Sequence, residues 1–340
     1  MRIARPFLFI IFFLILWMRS VSADSPSVES LIKDLKNYFD SYYALIQEKN
    51  LIPPKENVFK QIQALSGQNL ILNNFDDLSR SFDGYLKDYG KSINIFTIND
   101  SEIVNCWLGD LVAEKKDRRN VWGKEVDFTV KIIDNMVVRD FTDFVSQGKD
   151  ALDIGTRDSI VYCNLEAYRI RANSIWDFFA ERQKESKKRR YEPSRANRSR
   201  KYLYYKTWLN LYLNCIKENP NLAAAKAKFT EQAVAALIEN SLFHEIGHIF
   251  ADRYLALGDK TKEEMVAFLT ELRYGNLVYD SLETIVAAAY QSQMNNYNLA
   301  GKEIISGFGI KQVQKIQDLF SLSENQVRLI AKEIYQQKIK

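Results

Sequence analysis

Residues 219–258 read NPNLAAAKAKFTEQAVAALIENSLFHEIGHIFADRYLALG, and this stretch decides how the rest of the chain is understood. Alanine and leucine dominate it, Asn219-Pro220 offers a cap and a favourable first-turn residue, and Gly258 can end it. The stretch therefore predicts helix, with a break at Phe229-Thr230 where Thr230 can cap a second segment. Near its end His244 and His248 stand four apart. On a helix that spacing puts both imidazoles on one face, with Cβ atoms about 5–6 Å apart, close enough to hold one tetrahedral zinc ion. Glu245, beside the first histidine, is too constrained to bind the same ion but can reach a water on it. Zinc brings the pKa of such a water towards about 7, and the carboxylate then takes the proton and passes it to the leaving group. These residue types in this order predict a hydrolytic site whose nucleophile comes from solvent.

The surroundings support that reading. The chain has 2 histidines, and both lie in this motif. Leu242, Phe243, Ile246, Ile249 and Phe250 flank them, so the helix is expected to be buried, as a water-excluding metal site requires. Gly247 costs a helix about 1 kcal/mol relative to alanine, which the close approach of another element would explain. With no further histidine, and with Cys106, Cys163 and Cys215 lacking ligand spacing, the third ligand must be a carboxylate. Thr261 is expected to cap a following helix that holds Glu263, Glu264, Ala267, Phe268, Glu271 and Leu272. Glu264 and Glu271 are seven apart and share a face, so one can bind the ion and the other can orient a histidine through its N–H. Glu264 also has a local alternative, because Thr261 to Glu264 fits a capping box.

His244-Glu-Ile-Gly-His248 followed by Glu264-Met-Val-Ala267 resembles the gluzincin branch of zinc metallopeptidases. The resemblance covers residues 159–280. It implies peptide-bond hydrolysis with zinc as cofactor, and a ligand glutamate on the second helix: Glu264, with Glu271 as the alternative. It also implies an edge strand beside the active-site helix on which an extended peptide or protein substrate pairs. Ser159 to Cys163 is the strand expected to do this, through Ile160, Val161 and Tyr162. Such enzymes steady the oxyanion with a tyrosine, histidine or arginine, and here Arg273, Tyr274 and Tyr279 are open alternatives for that role.

Outward from the motif, 6 prolines and 13 glycines in 340 residues, 46% of them hydrophobic, predict a large helical core rather than a turn-rich barrel. The expected class is mainly α (α+β): a helical N-terminal region over 24–150, then a metallopeptidase-like domain over 151–340 with a small sheet, an active-site helix pair and C-terminal helices. Ser27 to Asn50 carries apolar residues at three- and four-residue steps, a helix closed by Pro53-Pro54, and another helix is expected over residues 100–115. β-Branched runs at Thr129–Val138 and Ser159–Cys163 predict strands. Ser323 supplies a capping box before a last helix from Val327.

Arg2 and Arg5 ahead of an apolar run from Phe7 to Met18, then Val21-Ser22-Ala23, read as a signal peptide over 1–23 cut after Ala23, so a secreted or periplasmic protein is expected. Three cysteines are an odd number for an oxidising compartment, so disulfides are not expected to hold the fold. Residues 182–206 hold eleven Lys or Arg against two Glu, which reads either as a solvated face, as contact with an anionic envelope surface, or as a processing site at Lys187 to Arg190. Export argues against nucleic acid as a partner. The rival to the enzyme reading is a non-catalytic, zinc-stabilised envelope binding or interaction protein.

Overall fold

A computed structural model describes residues 27–65, 74–97, 102–146, 154–157, 159–186, 198–290, 295–309, 319 and 321–340. The signal-peptide segment and residues 187–197 of the basic stretch lie outside them. Among the described residues no helix is long and apolar enough to cross a membrane. The chain is mostly helical, with one five-stranded sheet, which fits the mainly α to α+β class. Two compact units separate: Met1–Val112 with Ile133–Leu152, and Ala113–Ile132 with Asp153–Lys340. Each has its own apolar core.

The first unit opens with α1 (Val28–Lys49), capped by Ser27, which accepts from the Ser30 amide, and ended by Asn50 in the left-handed region. Its apolar stripe buries Leu31, Leu35, Phe39, Tyr42, Tyr43 and Ile46. Helices α2 (Lys55–Leu65) and α3 (Phe75–Lys87) and strand β1 (Lys91–Thr97) follow. Residues expected to be helical at 100–115 are instead the start of a long strand, β2 (Val104–Val121), antiparallel to β1 from Thr97↔Val104 to Lys91↔Asp110. Tertiary partners override the local helical reading here. The Tyr42 and Tyr43 hydroxyls accept from the Val104 and Cys106 amides at 3.0 and 3.1 Å. A side chain at Gly109 would meet the Asp134 carbonyl at 2.5 Å, so only glycine lets β3 (Lys124–Val138) lie alongside. Short α4 (Phe141–Ser146) completes the unit.

The β2–β3 hairpin ends in the second unit, where Trp122 and Gly123 both take positive φ (52° and 79°), the turn that best matches strand twist. Strands β4 (Ile154–Arg157) and β5 (Ile160–Asn164) pair antiparallel, and the sheet order is β1-β2-β3-β5-β4. Helices α5 (Leu165–Ser186), α6 (Arg198–Glu218), α7 (Leu222–Tyr254), α8 (Lys260–Tyr274), α9 (Val278–Ala289), α10 (Asn296–Gly307) and α11 (Glu324–Lys338) follow. Ser323 makes the expected capping box with Gln326. Cys106, Cys163 and Cys215 are buried, and no disulfide joins them.

Helix α7 runs unbroken for 33 residues. The break expected at Phe229-Thr230 is absent because Phe229 is fully buried in the core and the Thr230 hydroxyl donates to Asn173 at 3.1 Å instead of capping. Its cap is Asn221 rather than Asn219, and the helix stops at Tyr254, before Gly258.

Candidate metal centre

The site is built by α7 and α8 lying against one another. Their contact explains Gly247: a methyl there would meet the Ala267 Cα at 2.5 Å and the Thr270 hydroxyl at 3.1 Å. Glycine against a small residue lets the backbones touch, and this brings Glu264 of α8 to the histidines of α7.

His244 and His248 face the same way, with Nε2 atoms 3.3 Å apart. Each Nε2 is 3.7 Å from Oε2 of Glu264. A circle through these three atoms has a radius of about 2.1 Å, and zinc binds imidazole nitrogen and carboxylate oxygen at about 2.0–2.2 Å. The three ligand atoms thus stand where one small divalent ion can touch them all. The chemistry of Glu264 points the same way. Its Oε2 is buried and has no hydrogen-bond partner, a costly state for a carboxylate oxygen unless a cation satisfies it. The capping-box alternative for Glu264 does not occur, because Asp259, not Thr261, caps α8, accepting from the Thr261 and Lys262 amides at 2.9 and 3.4 Å.

Glu271 takes the other end of the same ring. Its Oε2 lies 3.3 Å from Nδ1 of His244, so the N–H donates to it and Nε2 faces Glu264. Glu271 is itself held: Oε1 accepts from the Asn240 amide at 2.6 Å and from the Ser281 hydroxyl at 2.9 Å. Asn240 in turn donates to Ser281 and accepts from the Leu277 amide, both at 2.9 Å. Phe268 stands edge-on to the His244 ring, 5.1 Å between centroids, and forms an apolar wall.

Electrostatics separates the two imidazoles. Burial alone would lower the pKa of His244, but its bond to Glu271 and the neighbouring Glu245, Glu271 and Glu264 carboxylates outweigh it and raise the value to about 9. Burial, helped by His244 and Lys260, lowers His248 to about 3, and burial raises the carboxyl of Glu264.

Glu245 is 6% exposed and points to the sheet, where its Oε2 accepts from the Thr156 hydroxyl. This contact settles where the sheet meets the site. Ile160, Val161 and Tyr162, expected to form the edge, lie in β5 between β3 and β4, with Val161 and Tyr162 buried. Their β-branched and aromatic character suits an interior strand, whereas the edge on this side of the sheet is the four-residue β4, whose brevity is typical of protected edges. Among the alternatives for steadying an oxyanion, Tyr274 accepts from the Trp122 amide at 2.8 Å, Arg273 donates to the Arg328 carbonyl at 3.3 Å and Tyr279 to the Leu322 carbonyl at 3.0 Å. Only the Tyr279 hydroxyl spends its proton in these bonds, whereas Tyr274 acts as an acceptor and Arg273 uses one of its five N–H donors.

Asn240, Ser281 and Thr156 are hydrogen-bonding neighbours of the site that sequence reasoning missed. Asn240 carried a signal, as a polar residue four before His244 and so on the same face of the helix. Ser281 and Thr156 carried none. No protein-family model, curated protein or solved structure matches this chain.

Proposed function

We propose that the chain is an exported zinc-dependent hydrolase that cleaves peptide bonds. The observation that carries this reading is the triangle of two imidazole nitrogens and one buried, unpartnered carboxylate oxygen, sized for a zinc ion, with a second carboxylate beside it. Export rests on the charged and apolar pattern of residues 1–23.

His244, His248 and Glu264 would hold the ion. A zinc ion bound there supplies Lewis acidity, which polarises a carbonyl and acidifies water. The protein's own groups do the rest. Glu271 keeps His244 in the tautomer that presents Nε2, and Asn240 and Ser281 keep Glu271 in place. Glu245, too close in sequence to His244 to share the ion, takes the proton of the attacking water and delivers it to the departing nitrogen. Phe268 and the buried faces of α7 and α8 wall one side of the site, while His244, His248 and Glu264 are partly buried and keep an approach from solvent. Among the described residues no strand pairs with the outer side of β4, and its backbone groups would be the ones to meet an extended peptide beside Glu245.

Elemental analysis of the purified protein should find one zinc per chain. Glu245→Gln should keep the metal and lose turnover on peptides, whereas His248→Ala should lose the metal itself. Full hydrolysis by Glu245→Gln would remove that residue from its role, and a metal-free wild type would end the reading.

A further inference from the structure

Thr156 lies outside the motif, on a different element, and yet touches the residue on which turnover depends. It is the third residue of β4, an edge strand of the sheet, paired with Val161 of β5. Its hydroxyl donates to Oε2 of Glu245. Glu245 is almost fully buried, so its charge needs donors, and a hydroxyl bond to an ionised carboxylate is among the stronger kinds. Threonine suits this purpose better than serine because two heavy atoms on Cβ restrict χ1 and hold the hydroxyl in one direction. Among the described residues no strand pairs with the outer side of β4, so one residue can join the backbone that would align a peptide to the carboxylate that would act on it.

We propose that Thr156 is a positioning residue for Glu245: by holding Oε2 it fixes the plane of the carboxylate and so the direction in which the other oxygen meets the attacking water. The inference rests on the hydrolase reading above. It requires the side chain of Thr156, not its backbone, so peptide alignment along β4 survives removal of the hydroxyl. Loss should therefore fall on kcat and leave KM alone.

The test uses the full zinc-loaded protein as wild type, Thr156→Val, Thr156→Ala, Thr156→Ser, Glu245→Gln and the Thr156→Val/Glu245→Gln double variant. Valine keeps the shape and removes the hydroxyl, alanine serves if valine disturbs folding, and serine restores the donor. Two readouts are taken: turnover of a fluorogenic peptide mixture, and affinity for acetohydroxamate, a zinc chelator whose proton the neighbouring carboxylate can accept. Thr156→Val and Thr156→Ala should keep one zinc per chain, lower kcat about 10- to 100-fold with KM within about twofold, and weaken acetohydroxamate about tenfold. Thr156→Ser should recover most of both. The double variant should bind acetohydroxamate no more weakly than Glu245→Gln alone, since the hydroxyl acts only through that carboxylate. Wild-type kcat and acetohydroxamate affinity in the valine and alanine variants would overturn the proposal while leaving the hydrolase reading intact. A zinc-loaded wild type that binds acetohydroxamate but cleaves no peptide would instead sink the peptidase reading, and the acetohydroxamate comparison would still decide Thr156. A wild type that takes no zinc would sink both.

Discussion

Gly247→Ala should damage both the fold and the metal site, against the ordinary expectation for a helix. In an isolated helix the change is worth about 1 kcal/mol in favour of alanine. Here the new methyl would sit 2.5 Å from the Ala267 Cα and 3.1 Å from its nitrogen, and neither atom belongs to a side chain that can turn away. Carbon atoms settle at about 3.5–4.0 Å, so α8 must retreat by about 1 Å. Glu264 lies one turn from Ala267 and moves with it. If each 3.7 Å separation from the imidazole nitrogens grows to about 4.5 Å, the circle through the three ligand atoms widens from about 2.1 to about 2.4 Å, outside zinc's bonding range. Overpacking of about 1–3 kcal/mol, less the propensity gain of about 1 kcal/mol, leaves a net loss of up to about 2 kcal/mol. That is a fall in Tm of up to about 8 °C, and zinc affinity should drop at least about tenfold. The assay is calorimetry with zinc titration, and Gly84→Ala is its control. Gly84 lies inside α3 with nothing within 4 Å of an added methyl, so there alanine should stabilise by about 0.5–1 kcal/mol. A Gly247→Ala protein that melts at or above wild type with its zinc retained would refute the argument that α7 and α8 are held by backbone contact.

Other perturbations probe the layers behind the ligands. Asn240→Ala strips the Glu271 carboxylate and the Leu277 amide of a partner, and should weaken zinc binding about 10- to 100-fold while costing about 1–3 kcal/mol of stability in denaturant titration. Wild-type zinc affinity in that variant would mean Glu271 needs no support. Removing zinc with a chelator should lower the thermal midpoint of wild type but not of His248→Ala. The difference should approach about 4 kcal/mol when free zinc exceeds Kd about a thousandfold. Trp122→Ala should destabilise by about 3 kcal/mol in chemical unfolding: the indole stacks on Tyr335 at 3.8 Å between ring centroids and donates to Thr270 at 2.8 Å. A loss below about 1 kcal/mol there would show that the hairpin tip is not anchored by that ring.

What the sequence disclosed about this site was whatever repeats at helical spacing. His244 and His248 at four, and Glu264 and Glu271 at seven, are relations inside single helices, and each was legible without knowing the fold. Gly247 was legible for a related reason, since a glycine in a long helix asks for a close neighbour, and Ala267 is that neighbour. The sheet was harder to read. Residues 104–109 alternate too little to mark a strand, because both faces of β2 are buried there. The edge strand was misplaced for a physical reason as well: richness in β-branched residues drew the reading to β5, which lies inside the sheet, whereas the edge beside it is the short β4.

The two glutamates show how a single ring can assign both of its neighbours. Seven residues of α8 span about 10.5 Å along the helix axis, more than an imidazole is wide, so both carboxylates cannot reach the same nitrogen. They bracket it instead. Glu271 meets Nδ1 at 3.3 Å, Glu264 meets Nε2 at 3.7 Å, and only the Nε2 side also holds His248. Exchanging their roles would require His244 to turn over, which would break its bond to Glu271 and leave the Asn240 and Ser281 donors aimed at a carboxylate with nothing to orient. Glu271→Gln therefore separates the roles. Glutamine can still accept from Nδ1–H through its carbonyl, so zinc should remain bound with affinity reduced about 10-fold, whereas Glu264→Gln replaces a charged ligand and should lose the ion. Zinc retained by Glu264→Gln and lost by Glu271→Gln, measured by equilibrium dialysis, would reverse the assignment.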